Sequence, residues 1–359
     1  MERVSATRRR VLRGGAAAVG AVATGAFSGC SASGSGRSRD SSAPPAYATW
    51  LPAPERVLRD PEAADDRATR GLRRTYPFRT VAYDDVAAYL DETGRTVADS
   101  VDTAPGDYET QYADGHVHPV LDVGPADARL GVRSIRGISV LETDLDDATA
   151  VEAFEAYEDN DFERVGEYEG YTLLGAARGP WVAAVADGTV VEAFENSGGR
   201  GPVLREPRAA VEAVVEARAG EDGSRYVEST EAVAALVDRL GDATLVSGTV
   251  TPEGTAADTD SPTGTARTPE TSGTVSEGDP LAEGTALTID GETTTARHVA
   301  VFGSADAADP DAVGGDGSPF ADWSNASTSV DGRAVVAEGT RETAAVLDIE
   351  SGPVETADG

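Results

Sequence analysis

Histidine and cysteine are the side chains most often used for acid–base, nucleophilic and metal chemistry, and this chain has few of either. Its 359 residues contain only His116, His118, His298 and Cys30. In Gly115-His116-Val117-His118-Pro119 two imidazoles lie two positions apart, so on a strand both would project from one face. Such a pair supplies half of a Zn²⁺ or Cu²⁺ site, which His298 or a carboxylate would complete. The plainer alternative is two polar residues in an exposed loop ahead of a proline. Any Ser-His-Asp relay or His-based acid–base mechanism must also draw on one of these three rings. The fixed-spacing motifs are missing: there is no H-E-x-x-H, G-x-S-x-G, Walker A loop, Rossmann glycine fingerprint or C-x-x-C-H. One cysteine excludes a disulfide framework. No cofactor is expected.

Carboxylates, by contrast, are abundant: 63 acidic residues face 30 basic ones, all arginine, for a net charge of −33. Glu142, Asp144 and Asp146 alternate and would share a strand face, where a hard cation taking about 6–8 oxygens could sit. Asp306, Asp309 and Asp311 form a second acidic cluster. Neither has the glycine and the final glutamate of an EF-hand loop. With this many acids such runs arise by chance, and for the same reason no glycosidase-type pair stands out. Nucleic acid is excluded as a partner because the chain lacks a basic footprint. Asn325-Ala326-Ser327 is an N-x-S sequon in a chain with only three asparagines, which makes Asn325 a candidate glycan site.

The first thirty residues read as an address. Thr7 to Arg13 is TRRRVLR, with Arg8 and Arg9 as the paired arginines, and resembles the twin-arginine export motif. Gly14 to Phe27 follows, 14 weakly apolar residues, too short for the roughly 20 that span a bilayer. It fits a signal-peptide h-region. Phe27-Ser28-Gly29-Cys30 then resembles a lipobox, which implies cleavage before Cys30 and lipid on its sulfur. Two acyl chains hold a protein on a membrane where one is marginal. The resemblance further implies export in the folded state, to the outer face of the cytoplasmic membrane. With Cys30 lipidated, no thiolate remains for cysteine catalysis, iron–sulfur ligation or a blue-copper site. Acid excess without lysine resembles a haloarchaeal protein. Its self-repulsion is screened when molar salt shortens the Debye length to about 3 Å. Loss of the near-UV spectrum on dialysis to low salt is the expected outcome.

These residues need a scaffold. Residues 1–29 read as signal peptide and 30–45 as a lipidated flexible tether. Residues 46–250 form the first part of an α+β domain, with large aromatics from Tyr47 and Trp50 onward. A helix is expected from about Asp84, with Val86, Tyr89 and Leu90 on one face and Gly94 as its stop. Ile135–Leu145 reads as a strand running into an Asp146-Asp147 cap for a helix bearing Val151, Phe154 and Tyr157. Phe162–Leu174 is strand-like. Trp181–Ala186 and Thr189–Phe194 flank Asp187-Gly188 as a type I′ hairpin. Helices are expected at Arg208–Arg218 and at Glu231–Leu240, the latter closed by Gly241. Ala243–Val250 reads as a strand.

Residues 251–283 form a Thr/Pro-rich insertion without the apolar bulk to offset its ordering entropy, placed between two paired strands. Residues 284–345 are the second part or a second lobe, with turns at Asp290-Gly291 and Asp331-Gly332, and 346–359 are a tail. Ile138–Leu141 with Ala150-Val151, and Val299–Phe302 with Ala312-Val313, repeat a strand–acid–helix order that suggests duplication. The expected class is therefore α+β: antiparallel, hairpin-rich sheets with helices on one face and two similar lobes.

The leading functional expectation is a membrane-anchored extracytoplasmic lipoprotein acting as a non-catalytic binding or interaction module. Its partners would be the membrane, through Cys30, and an unknown protein or small molecule. One alternative is a solute-binding lipoprotein of a transporter, with a cleft using Trp50, Trp181 or Tyr171. A second is a metal-dependent or hydrolytic enzyme using His116, His118 and His298.

Overall fold

Among the described residues, antiparallel strands pair into one continuous sheet. The computed structural model describes residues 44–58, 76–86, 118, 120–124, 127–135, 137–195, 204–251, 279–314, 320 and 322–346. Arg8, Arg9, Cys30, the tether up to residue 43, His116, most of the Thr/Pro run and the last thirteen residues lie outside the described residues. The described residues form one compact unit.

Twelve strands are described: β1 Tyr76–Ala82, β2 Ala128–Ser134, β3 Ile138–Thr143, β4 Phe162–Tyr168, β5 Tyr171–Ala176, β6 Trp181–Ala186, β7 Thr189–Phe194, β8 Leu245–Val250, β9 Ala282–Asp290, β10 Thr293–Val301, β11 Ser324–Asp331 and β12 Ala334–Glu342. They lie in the order β11-β12-β10-β9-β8-β1-β2-β3-β7-β6-β5-β4. Three tight turns explain much of this register. Asp187 and Gly188 both take positive φ (49° and 67°) between the paired residues Ala186 and Thr189, as a type I′ turn requires. In the β9–β10 and β11–β12 hairpins the aspartate is the last paired residue, and the glycine opens the two-residue turn. β8 pairs with β9, so the Thr/Pro run joins neighbouring strands. β9 begins at Ala282, so its first two residues fall inside the expected run.

The helices are α1 Pro54–Val57, α2 Tyr83–Val86, α3 Asp147–Glu155, α4 Pro207–Ala219, α5 Tyr226–Ser229, α6 Glu231–Leu240, α7 Asp311–Gly314 and α8 Thr343–Val346. Helix α3 starts where Asp146 accepts the Thr149 N–H at 3.0 Å, a side-chain N-cap. Thr230 caps α6 in the same way through Val233 N–H. Val233, Leu236, Val237 and Leu240 of α6 are buried, and each such side chain contributes roughly 1.5–3 kcal/mol on leaving water.

Helices α4 and α6 pack on one face of the sheet, α4 over β6 and β7 and α6 over β9 and β10, together with residues 46–57. Helix α3, α2, residues 120–123, Val313 and Phe320 cover the other face. The structure therefore corrects two expectations. Helices lie on both faces, because strands such as β6 and β7 bury both of their sides, and each apolar face needs a cover. The described residues form one continuous sheet, with no second lobe. The repeated strand–helix order survives only locally, as β3 with α3 and β10 with α7. The expected helix from Asp84 is α2 up to Val86, and the rest of it lies outside the described residues.

Candidate functional site

The most deeply buried carboxylate among the described residues is Glu192, in the middle of β7. Its neighbours along the strand are apolar, and the carboxylate projects onto the face covered by α3. Three donors meet it there. The His118 Nε2 lies 2.7 Å from Oε2, Ser139 Oγ donates to the same oxygen at 3.1 Å, and Trp181 Nε1 donates to Oε1 at 3.1 Å. Ser139 is the cross-strand partner of Glu192 on β3. Backbone pairing of His118 with Val123 and the Leu121 N–H, which donates to His118 Nδ1 at 3.3 Å, hold the ring in place.

His118 and Glu192 are each 6% exposed. Burial alone would push the Glu192 carboxyl up. Attraction to His118 and the hydrogen bonds from His118, Ser139 and Trp181 outweigh it and hold the carboxyl below its ordinary value. An aromatic stack shields the network: His118 meets Phe154 edge-on at 5.8 Å, Phe154 meets Phe162 at 5.0 Å, and Phe162 meets Trp181 at 4.9 Å.

This arrangement satisfies its groups among themselves. Both His118 nitrogens are engaged, and the Ser139 hydroxyl donates to the Glu192 carboxylate rather than to His118. Among the described residues, no three His, Cys, Asp or Glu side chains gather as a metal site.

Glu192 and Ser139 also end a longer feature. Cross-strand partners place His298, Thr285, Ser247, Arg79, Arg133, Ser139 and Glu192 side by side on seven adjacent strands. This polar row crosses the face that otherwise carries Leu245, Leu287, Ala296 and Leu141. Arg79, Ser247 and Thr285 line a shallow depression with Leu245 and Leu287. His298 sits at the far end, with Nδ1 3.0 Å from Thr285 Oγ1, and burial lowers its pKa. Six strand spacings separate His298 from Glu192, roughly 29 Å at about 4.8 Å per strand. The structure therefore does not bring His118 and His298 together, and the expected three-histidine site is corrected on that point.

The other sequence candidates also separate. Glu142 faces the opposite side of the sheet from Glu192 and accepts from Trp50 Nε1 at 3.0 Å, while Asp146 caps α3. Asp144 lies 3.6 Å from Arg129. Asp309 accepts the Asp311 backbone N–H, a local turn contact. Trp50 is buried beneath Arg218, 4.7 Å from its ring, on the α4 face with Tyr171, whereas Trp181 belongs to the α3 face. The three aromatics therefore do not share one cleft. Asn325 lies exposed on β11 with φ 54°. Sequence reading missed Glu192 and Ser139. The available signal was a single carboxylate inside the apolar run Thr189–Phe194.

No family model matches the chain, and no curated protein matches it. Among solved structures, crystal form I of TP0453, from Treponema, aligns over 80% of this chain and 96% of its own at 9% identity, with a TM-score of 0.35. Crystal form III gives 80%, 98%, 8% and 0.36, and crystal form IV gives 81%, 98%, 8% and 0.35. Likeness at that level transfers neither a fold nor an activity.

Proposed function

We propose that this chain is a lipid-anchored, extracytoplasmic binding module without catalysis. The address supports the location: Arg8 and Arg9 direct export, Cys30 carries the lipid, and no described helix is long and apolar enough to cross a membrane. One observation carries the non-catalytic part. The best-placed acid–base group, His118, has both ring nitrogens committed to a buried structural network with Glu192. The polar row supplies the binding surface. Arg79 and Arg133 face each other across β1 and β2, with the Ser247 hydroxyl beside Arg79. Guanidinium and hydroxyl donors in that order suit a partner's carboxylate, sulfate or phosphate groups. The solute-binding alternative needs two lobes around a cleft, and the single sheet favours it less.

Fractionation of an exporting halophilic host tests this reading. Wild-type protein should pellet with membranes and be released by detergent, while Cys30→Ser should appear in the medium. Wild-type protein in the cytoplasm would contradict it. So would a hydrolytic activity of the purified protein that disappears in His118→Gln.

A further inference from the structure

The sheet has two edges, and only one of them is defended by its own side chains. β4 carries Glu163, Arg164 and Glu167, and a bulge between Arg164 and Gly166 interrupts its pairing. β11 is exposed at all eight positions. From Ser324 to Val330 it has no charged residue, in a chain that is 26% charged. Its one large apolar side chain, Val330, is 47% exposed. Ser327 to Asp331 pairs regularly with β12, so the outer side of that stretch presents a regular row of backbone donors and acceptors. An edge of this kind invites pairing with another chain unless something blocks it.

The sequon lies in this strand. A bulge between Ser324 and Ser327 leaves Asn325 without a register partner on β12, and its positive φ lifts it out of the ladder. Asparagine is among the few residues that tolerate such a conformation. Its amide orientation is fixed: Thr340 Oγ1 donates to the Ser324 carbonyl and therefore accepts from Asn325 Nδ2, at 3.0 Å. A glycosylated amide keeps one N–H, so this bond can persist after modification. A chain exported folded can be modified only where a sequon is reachable on the folded surface, and this one is.

We infer that Asn325 carries an N-linked glycan that guards the β11 edge. The donor is a lipid-phosphate-linked sugar. Asn325 Nδ2 forms a bond to its anomeric carbon, the anomeric carbon–oxygen bond to phosphate breaks, and the lipid phosphate leaves with the electron pair. The displaced amide proton passes to a base of the transferase. The bulky, hydrated glycan then stands beside the strand and excludes a second strand from it. This inference rests on the extracytoplasmic reading.

Peptide mass analysis of wild-type protein exported by a haloarchaeal host tests it. The peptide containing Asn325 should be heavier by whole sugar residues. That mass should be lost in Ser327→Ala and kept in Ser327→Thr, which preserves the sequon. Exported Ser327→Ala should also shift to faster-sedimenting species as concentration rises, and adding Val330→Lys should reverse the shift. Exported protein with bare Asn325 overturns the inference alone, and protein retained in the cytoplasm overturns the location as well. A glycosylated wild type whose Ser327→Ala variant stays monodisperse would remove the guarding role.

Discussion

β4 has Glu163, Arg164 and Glu167 among its seven residues, whereas β11, on the far side of the same sheet, runs from Ser324 to Val330 uncharged. The support behind the two edges differs as well. On one face of the β4 end lie the Phe154–Phe162–Trp181 stack and the buried His118–Glu192 network. On the other, Tyr168 donates to Glu216 of α4 at 2.6 Å. Behind β11 the aromatic support is Phe320 against Trp323 at 5.3 Å, and Asp331 is tied to Arg239 at 2.7 Å. The difference teaches that one edge is stabilised from within by packing and charge. The other stays thin and plain, open to a strand or a modification.

The largest expected effect comes from breaking the well-supported end. Glu192→Ala leaves the buried His118 and the part-buried Ser139 and Trp181 without their acceptor, and should cost on the order of 3–5 kcal/mol. Removing Thr340→Ala, the partner of Asn325 at the other end, should change stability by no more than about 0.5 kcal/mol. Denaturant unfolding in molar salt measures both. Equal losses would erase the contrast between the two ends.

A smaller effect is expected behind β11. A Cβ at Gly339 of β12 would lie 2.9 Å from the Trp323 Cβ, so Gly339→Val should push Trp323 away at a cost of about 1–3 kcal/mol. Hydrogen exchange should show lost protection in β11 and β12, with β5 to β7 unchanged. Loss spread across the whole sheet would show that the ends are not independent.

The two ends should also separate by pH. Burial lowers the His298 pKa in the folded state, so its contribution is complete above the unfolded value of about 6.5 and is lost as pH falls below it. The Glu192 pKa is lowered too. Its contribution is complete above the unfolded carboxyl value of about 4.3 and disappears as pH falls through the folded one. Thermal unfolding between pH 7.5 and 5.5 should therefore decline in wild type and flatten in His298→Gln. An unchanged slope in His298→Gln would assign that window to another group.

How far the sequence revealed this depends on local pattern. The Asp187-Gly188 hairpin, α6 with its i, i+3, i+4, i+7 stripe, and the Asp146 cap of α3 were legible because local physics determines each. Phe162–Leu174, expected as one strand region, is two strands around Glu169-Gly170, because a turn without Asn or Asp carries a weaker signal. β11 was missed altogether: serine and threonine on an edge with both faces in solvent leave no period-two apolar pattern to read. At the site, the rarity of histidine pointed to His118, but its partner Glu192 was hidden. Which face of a strand meets the core is decided by tertiary packing, and in a chain with 63 acids one more carboxylate attracts no notice. The polar row across seven strands depends on register between distant segments and is invisible before the fold is known.

Smallest in stability, and most informative about the comparison, are changes at the edges themselves. Val165→Lys on β4 and Val330→Lys on β11 should each stay within about 0.5 kcal/mol of wild type. Sedimentation of exported protein at molar salt over a range of concentrations would test the central claim by disarming one edge at a time. Replacing Glu163, Arg164 and Glu167 with serine removes the charges from β4, and Ser327→Ala removes the glycan from β11. Wild type should remain monomeric, and each variant alone should self-associate. The combined variant should form longer, open-ended assemblies, because it pairs at both sides of the sheet. A Ser327→Ala protein that stays monomeric while the β4 variant associates would show that β11 needs no guard and would contradict the account.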